Sequence, residues 1–343
     1  MFTVFAEKNI FEDILIDNNK TPNWFRIFCD HSEICLNITN AELDLELSID
    51  SPISYFYKIT GGKEPRALNA FFGDVYDNNS IISECPRSAF FLNISKNKAD
   101  DLQKSLGIVV QAKGEIDDQI LKGTYYKNLP INTVCEAGPK IGWHHLLDIQ
   151  LSPMNAIVVS DNYLFTNDEG KRGKVNFIQF IESILPDDLG VDFHILLIAK
   201  EHNLKDVIWC NTILDEIKLA ISQLNKPYNV IFELVFAETI HKRIAISNYA
   251  TITPDKGFAV FKTHDVKTVH EDTEIQVDRI FNRIHKNEGD TEFENANYSL
   301  DLIKTKCKSV AQYIIKRPDD KNYRILGDCN PDKSLKNRLI NDI

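Results

Sequence analysis

The chain predicts a two-domain α/β protein, and three observations carry that expectation. Strand-like and helix-like segments alternate along most of its length, the order that builds a sheet covered by helices. Two of the strand candidates, Asn155 to Asp161 and Asp192 to Ala199, are nearly continuous apolar runs of the kind buried on both faces. At 343 residues, the chain is long enough for two separate cores. The expected organisation is a smaller α/β domain over 1–115, a linker over 116–152, a second module with a mixed sheet flanked by helices over 153–316, and a polar tail over 317–343.

Taken in order, Thr3-Val-Phe-Ala reads as a strand, Ile10 to Asp17 as a helix, Trp24 to Asp30 as a β-rich run, and Ser51 to Ile59 as a helix. A cleaner unit follows. Ser88 to Ser95 has the aromatic and β-branched enrichment of a buried strand, Lys98 to Leu106 makes a helix, and Gly107 stops it before the strand Ile108 to Gln111. Between Gly114 and Ser152 the pattern weakens, punctuated by Gly123, Pro130, Gly138, Pro139 and Gly142. In the second half, Val175 to Leu185 carries a helical apolar face ended by Pro186. A long amphipathic helix spans about Leu204 to Leu224. Tyr228 to Phe236 and Ile240 to Ser247 read as strands joined by a short hairpin connection. Asn295 to Lys316 reads as a helix, and the polar residues beyond Arg317 as a mobile tail.

Composition narrows the function classes. With 43% hydrophobic and 26% charged residues, the chain has the make-up of an ordinary globular protein. No apolar run approaches the roughly 20 residues of a spanning helix, and the first residues lack the basic and apolar regions of a signal peptide, so a cytoplasmic protein is expected. The seven cysteines include no C-x-x-C pair, and their odd number argues for reduced thiols over a disulfide framework. A net charge of −11 disfavours a protein that coats nucleic acid non-specifically, because that binding depends on clustered Lys and Arg. Basic residues nevertheless gather in and after one stretch, including Lys242, Arg243, Lys256, Lys262 and Lys267.

That stretch, His241-Lys-Arg243-Ile-Ala-Ile-Ser-Asn248, carries the chemistry. In a strand, residues i and i+2 share a face, so His241 and Arg243 would project together, a proton carrier beside a fixed cation. Such a pair suits a phosphate. The spacing resembles the H-x-K-x4-D signature of the phospholipase D-like superfamily, with Arg243 where Lys is usual and Asn248 where Asp is usual. The surrounding order adds to the resemblance over about residues 150 to 265. A strand ending in D-x-Y (Asp161, Tyr163) is followed by helix, strand, long helix and strand, then by the H-x-R strand and a Gly-aromatic turn (Gly257, Phe258). The whole is similar to divergent modules found at the C-terminus of MIT-domain proteins and in bacterial defence-associated proteins.

The resemblance implies roles for these residues. His241 would be nucleophile or general acid, Arg243 a phosphate clamp and Asn248 an orienting partner, with Lys242 and Lys262 adding positive charge for phosphate. Arg supplies a planar bidentate donor set and can replace Lys as clamp. Asn cannot supply the negative charge that stabilises an imidazolium. Only one copy of the motif is present, so turnover would need a homodimer that brings two His241 side chains together. The competing reading makes His241 an ordinary edge residue, with Arg243 paired to Glu233 or Glu238.

Two other clusters have defined expectations. The Ser88 to Gln111 unit resembles the last βαβ step of PIN-like nuclease domains, which implies converging carboxylates around a divalent metal. Here the strand end offers Asn93 and Ser95, with Glu7, Asp13, Asp30 and Asp74 as the remaining candidates, so a degenerate domain with a structural or recognition role is expected. Gly142-Trp143-His144-His145 places two histidines side by side, but neighbouring side chains on extended backbone point to opposite faces. A loop packed under Trp143 is the expectation there.

Three functions follow, without a cofactor or a metal in any of them. One is a phosphate-recognising module for nucleic acid or an acidic headgroup within a bacterial antiviral-defence or nucleic-acid-processing assembly. The others are a homodimeric phosphodiesterase or nuclease acting through His241, and a scaffold that binds protein partners.

Overall fold

The computed structural model describes residues 1–147, 151, 153–166, 170–200, 206–237, 242–283 and 290–341. The N-terminal third forms a five-stranded sheet from β1 (Phe2–Ala6), β2 (Ser32–Leu36), β3 (Arg66–Ala67), β4 (Ser88–Leu92) and β5 (Val109–Ala112). Its order is β3-β2-β1-β4-β5 with every pair parallel. Helices α1 (Lys8–Ile16), α2 (Pro22–Arg26), α3 (Asn40–Ser48), α4 (Pro52–Ile59), α5 (Asn69–Asp77) and α6 (Lys96–Leu106) connect the strands. The helix-to-strand transition at α6 is sharp because Gly107 adopts a left-handed conformation, with φ at 66°, which favours glycine.

Trp24 to Asp30 is not the β-rich run that its composition suggests. Pro22 starts α2, and residues Ile27–His31 continue it as one π-helical turn. Proline at the first helical position costs nothing, and winding buries Trp24, Ile27 and Phe28 together. An extended chain would have sent alternate residues to opposite faces.

The second sheet has eight strands. They are β6 (Thr124–Leu129), β9 (Ala156–Ser160), β10 (Phe193–Ala199), β11 (Val230–Phe236), β12 (Ile244–Ser247), β13 (Ala250–Pro254), β14 (Thr273–Arg279) and β15 (Arg324–Gly327). The short strands β7 (Glu136–Ala137) and β8 (Lys140–Ile141) pair only with each other, ahead of the four-residue helix α7 (Trp143–Leu146). The order is β15-β11-β10-β9-β12-β13-β14-β6. β9, β10 and β11 are parallel, and the remaining pairings are antiparallel. The sheet is therefore mixed, as expected.

Alternation along the central strands serves two cores. Ile157 and Val159 of β9 face α8 (Lys171–Ile184) and α9 (Val207–Gln223), where Phe177, Phe180, Ile181, Ile213 and Ile217 are buried. Ala156 and Val158 face α10 (Glu292–Lys316), with Leu300, Ile303 and Val310 against them.

β11 and β12 do not form a hairpin. β10 and β9 lie between them, and β12 pairs antiparallel with β9. Every residue of β12 is buried, which demands a central slot covered on both faces. The β9-α8-β10-α9-β11 path fills one side of β9, so the open slot is on its other side.

Two segments expected to lie outside the modules are built into the sheet. Residues 116–152, expected as linker, supply β6 at one edge. Residues 317–343, expected as a polar tail, supply β15 at the other, followed by buried Leu335, Leu339 and Ile340. Asn337 is also buried, and Glu233 of β11 accepts from the backbone N–H groups of Lys336 and Asn337 at 2.7 and 3.0 Å. A buried carboxylate needs such donors, and the polar tail provides them.

Polar bonds join the two sheets. The Tyr249 hydroxyl donates to the Ser88 carbonyl at 2.6 Å and accepts from the Val109 N–H at 3.0 Å. Asn155 Nδ2 donates to the carbonyls of Ser83 and Leu106 at 3.1 and 2.9 Å.

Candidate functional site

The carboxyl ends of β9 and β10 hold the site. Asp161 follows β9 directly and is 1% exposed, and its backbone N–H donates to the Ile198 carbonyl at 3.0 Å. Its carboxylate accepts from the N–H of Tyr163 on one oxygen and from the N–H of Phe258 on the other, both at 2.9 Å. Burial raises its pKa, while those two donors and the Arg243 guanidinium pull the other way. Asp161 thus ties the chain after β9 to the turn that follows β13.

Gly257 makes that tie possible. Its φ is +92°, and a Cβ there would lie 2.5 Å from Asp161 Oδ2 and 3.1 Å from Arg243 Cδ. Any other residue would meet both a strained backbone conformation and a steric clash. The turn is closed by the Gly257 N–H bond to the Pro254 carbonyl at 3.1 Å.

Arg243 enters from the start of β12 and is half-buried. Its Cζ lies 5.0 Å from the centre of the Tyr163 ring, within cation–π range. Nη1 donates to the backbone carbonyl of Asp255. The Asp255 carboxylate itself is engaged elsewhere, accepting from Thr273 Oγ1 at 2.7 Å and the Glu274 N–H at 2.9 Å. Arg243 Nε is shielded from solvent without a hydrogen-bond partner. Among the described residues no carboxylate forms an ion pair with Arg243, and Glu233 is committed to the C-terminal segment. The Glu233 pairing considered from the sequence is therefore not made, and Glu238 lies outside the described residues.

The sequence-predicted residues are distributed unevenly about this site. His241 lies outside the described residues. Lys242 is exposed and lies near Glu292 at the start of α10, whose carboxyl pKa is raised by burial and Asp278, with Arg283 and Lys242 offsetting only part of that rise. Lys262 donates from Nζ to Asn132 Oδ1 at 2.6 Å, tying the loop after Phe258 to the one after β6.

Asn248 is at the other end of β12. Because that strand runs antiparallel to β9, with Ile244 opposite Ser160 and Ser247 opposite Ile157, Asn248 reaches the amino end of β9 while Arg243 stays at the carboxyl end. Asn248 is fully buried. Its Oδ1 accepts from the N–H groups of Asn155 and Ala156 at 3.0 and 3.1 Å, and its Nδ2 donates to the Pro86 carbonyl at 2.7 Å and Asn155 Oδ1 at 3.1 Å. These bonds use its side chain to join the two sheets, away from Arg243.

The Asp161, Tyr163, Gly257 and Phe258 pattern converges on Arg243, although no direct role was assigned to these residues from their spacing. Asp255 was missed, since a backbone carbonyl leaves no signal in residue type. Elsewhere, Trp143 is fully buried against Phe180, Phe258 and Phe261, and His144 Nε2 lies 3.6 Å from Glu182. Glu7 accepts from Asn37 Nδ2 at 3.1 Å and from the Tyr76 hydroxyl. Asp13 faces Lys113 at 3.9 Å, and Asp30 and Asp74 are exposed. Among the described residues no three His, Cys, Asp or Glu side chains gather as a metal site would require. No protein-family profile matches the sequence, and no curated protein matches it as a relative.

Proposed function

We propose that the chain is a phosphate-recognising module in which Arg243 is the anion clamp, built on a degenerate phospholipase D-like site. One observation carries this reading. The Arg243 guanidinium is partly desolvated and held against Tyr163, yet its hydrogen bond goes to a neutral carbonyl and, among the described residues, no ion pair satisfies it. A planar guanidinium can donate to two phosphate oxygens at once, and such charge-assisted bonds are about twice as strong as neutral ones. Asp161 supports the cation without neutralising it at contact, because both its oxygens accept backbone N–H groups.

The same geometry favours binding over turnover. Asn248 is consumed by the bonds between the two sheets, so it is not available to orient an imidazole near Arg243. Titration of the full chain with inorganic phosphate, followed by phosphorus NMR, tests the proposal. Arg243→Ala should weaken binding by about tenfold or more, the equivalent of one charge-assisted bond, and Arg243→Lys should restore only part of it. Equal affinity in Arg243→Ala and the unaltered chain would refute the clamp. Hydrolysis of a phosphodiester that disappears in His241→Ala would instead establish the homodimeric enzyme.

A further inference from the structure

We infer that Tyr163 is a stacking platform for a nucleobase, so that the phosphate held by Arg243 belongs to a single-stranded nucleic acid. The inference rests on the phosphate reading and narrows it from any phosphate to one attached to a base.

Tyr163 is 48% exposed, although the carboxylate two residues before it is buried. Its backbone is fixed at both ends. The N–H donates to Asp161 Oδ1 at 2.9 Å, and the carbonyl accepts from Thr166 N and Thr166 Oγ1 at 3.2 and 2.9 Å. One side of the ring carries the Arg243 guanidinium, 5.0 Å from its centre, which leaves the remaining exposure for a ligand. The ring is thus pre-positioned and open, and it pays little ordering entropy on binding.

The pairing of ring and cation selects among phosphate ligands. Single-stranded nucleic-acid sites combine aromatic side chains that stack bases with Arg that contributes cation–π attraction and phosphate contact. A duplex keeps its base faces stacked on each other, so it cannot use the ring in this way. A lipid headgroup brings a phosphate without a π-face and would leave the ring exposed to water. With a net charge of −11, the protein gains little from non-specific attraction, so stacking should form a large part of the affinity. The salt dependence should be correspondingly shallow, with a slope of about −0.7 for each phosphate contacted.

The test measures anisotropy of the full chain with a labelled oligothymidylate and with an abasic oligomer of the same length. Phosphatidic acid vesicles provide the lipid comparison. The base-bearing oligomer should bind about tenfold or more tighter than the abasic one, the range expected for stacking one base. Tyr163→Ala should bring that ratio close to one, and Tyr163→Phe, which keeps the ring, should retain it. Tyr298→Ala, a change to an exposed ring on α10, should leave the ratio as it is. Equal binding of the two oligomers by the unaltered chain, a ratio that survives Tyr163→Ala, or binding to vesicles alone overturns the inference. Loss of the ratio in Tyr163→Ala with Arg243→Ala still binding phosphate normally would retain the platform and remove the clamp.

Discussion

Asn248 is the residue whose role the structure changes most. In the H-x-K-x4-D pattern its position belongs to an acid, which would make Asn248→Asp a restoration. The hydrogen bonds lead to the opposite expectation. Nδ2 donates to the Pro86 carbonyl and Asn155 Oδ1, so aspartate would place an acceptor against two acceptors and bury an unpaired charge. Asn248→Asp should therefore destabilise the chain by at least about 3 kcal/mol, seen as a lower denaturant midpoint, without conferring hydrolysis. A midpoint unchanged from that of the unaltered chain would refute the buried network. Arg243 was legible in the sequence because its offset from His241 fits the H-x-K spacing, with Arg in place of Lys. Its partners were not, because a carbonyl and an aromatic ring come from segments far away in sequence.

At the scale of elements, the C-terminal segment is an integral part of the second sheet. Burial raises the Glu233 pKa from 4.5 to about 7, against the backbone donors of Lys336 and Asn337 and the positive charge of Lys336. Asp328 raises it further, and Cys307 on α10 lies close enough to feel its charge. A group with a raised folded pKa contributes stability fully present below its unfolded value and lost as pH rises through the folded value. Glu233 should thus help most below pH 4.5 and least above about 7. His194, lowered to about 4 chiefly by burial and secondly by Arg338, runs the other way. Its contribution is present above 6.5 and lost as pH falls through about 4. Comparing the unaltered chain with Glu233→Gln cancels the histidine. Their stability difference should shift against the unaltered chain by on the order of 2 kcal/mol between pH 5 and 8. Parallel denaturation curves at the two pH values would contradict the assignment.

At the scale of the whole molecule, the two sheets are joined by directional bonds. Tyr249 is fully buried and bridges Ser88 and Val109 through its hydroxyl. Tyr249→Phe would leave a buried carbonyl and a buried N–H without that partner, at a cost of about 2 kcal/mol. Cooperative coupling through these bonds should make both sheets unfold in one transition, followed by far-ultraviolet dichroism and by tryptophan fluorescence from Trp24 and Trp143. Two separated transitions in the unaltered chain would show that the seam does not couple them.

The amino-acid sequence by itself determined that this is an α/β chain, located β1, β4, β5 and β9 to β12 together with α1, α4, α6 and α8 to α10, and marked the Gly107 stop and the Arg243 segment. Periodicity, turn residues and spacing are local properties, and a short window contains them. Tertiary structure alone decided that β12 fills the slot beside β9, that β6 and β15 complete the sheet, and that Asn248 serves the seam while Asp161, Tyr163 and Gly257 surround Arg243. Those outcomes depend on which buried faces and unsatisfied polar groups meet across long separations in sequence. A local pattern specifies that such groups exist, and the packed chain specifies their partners.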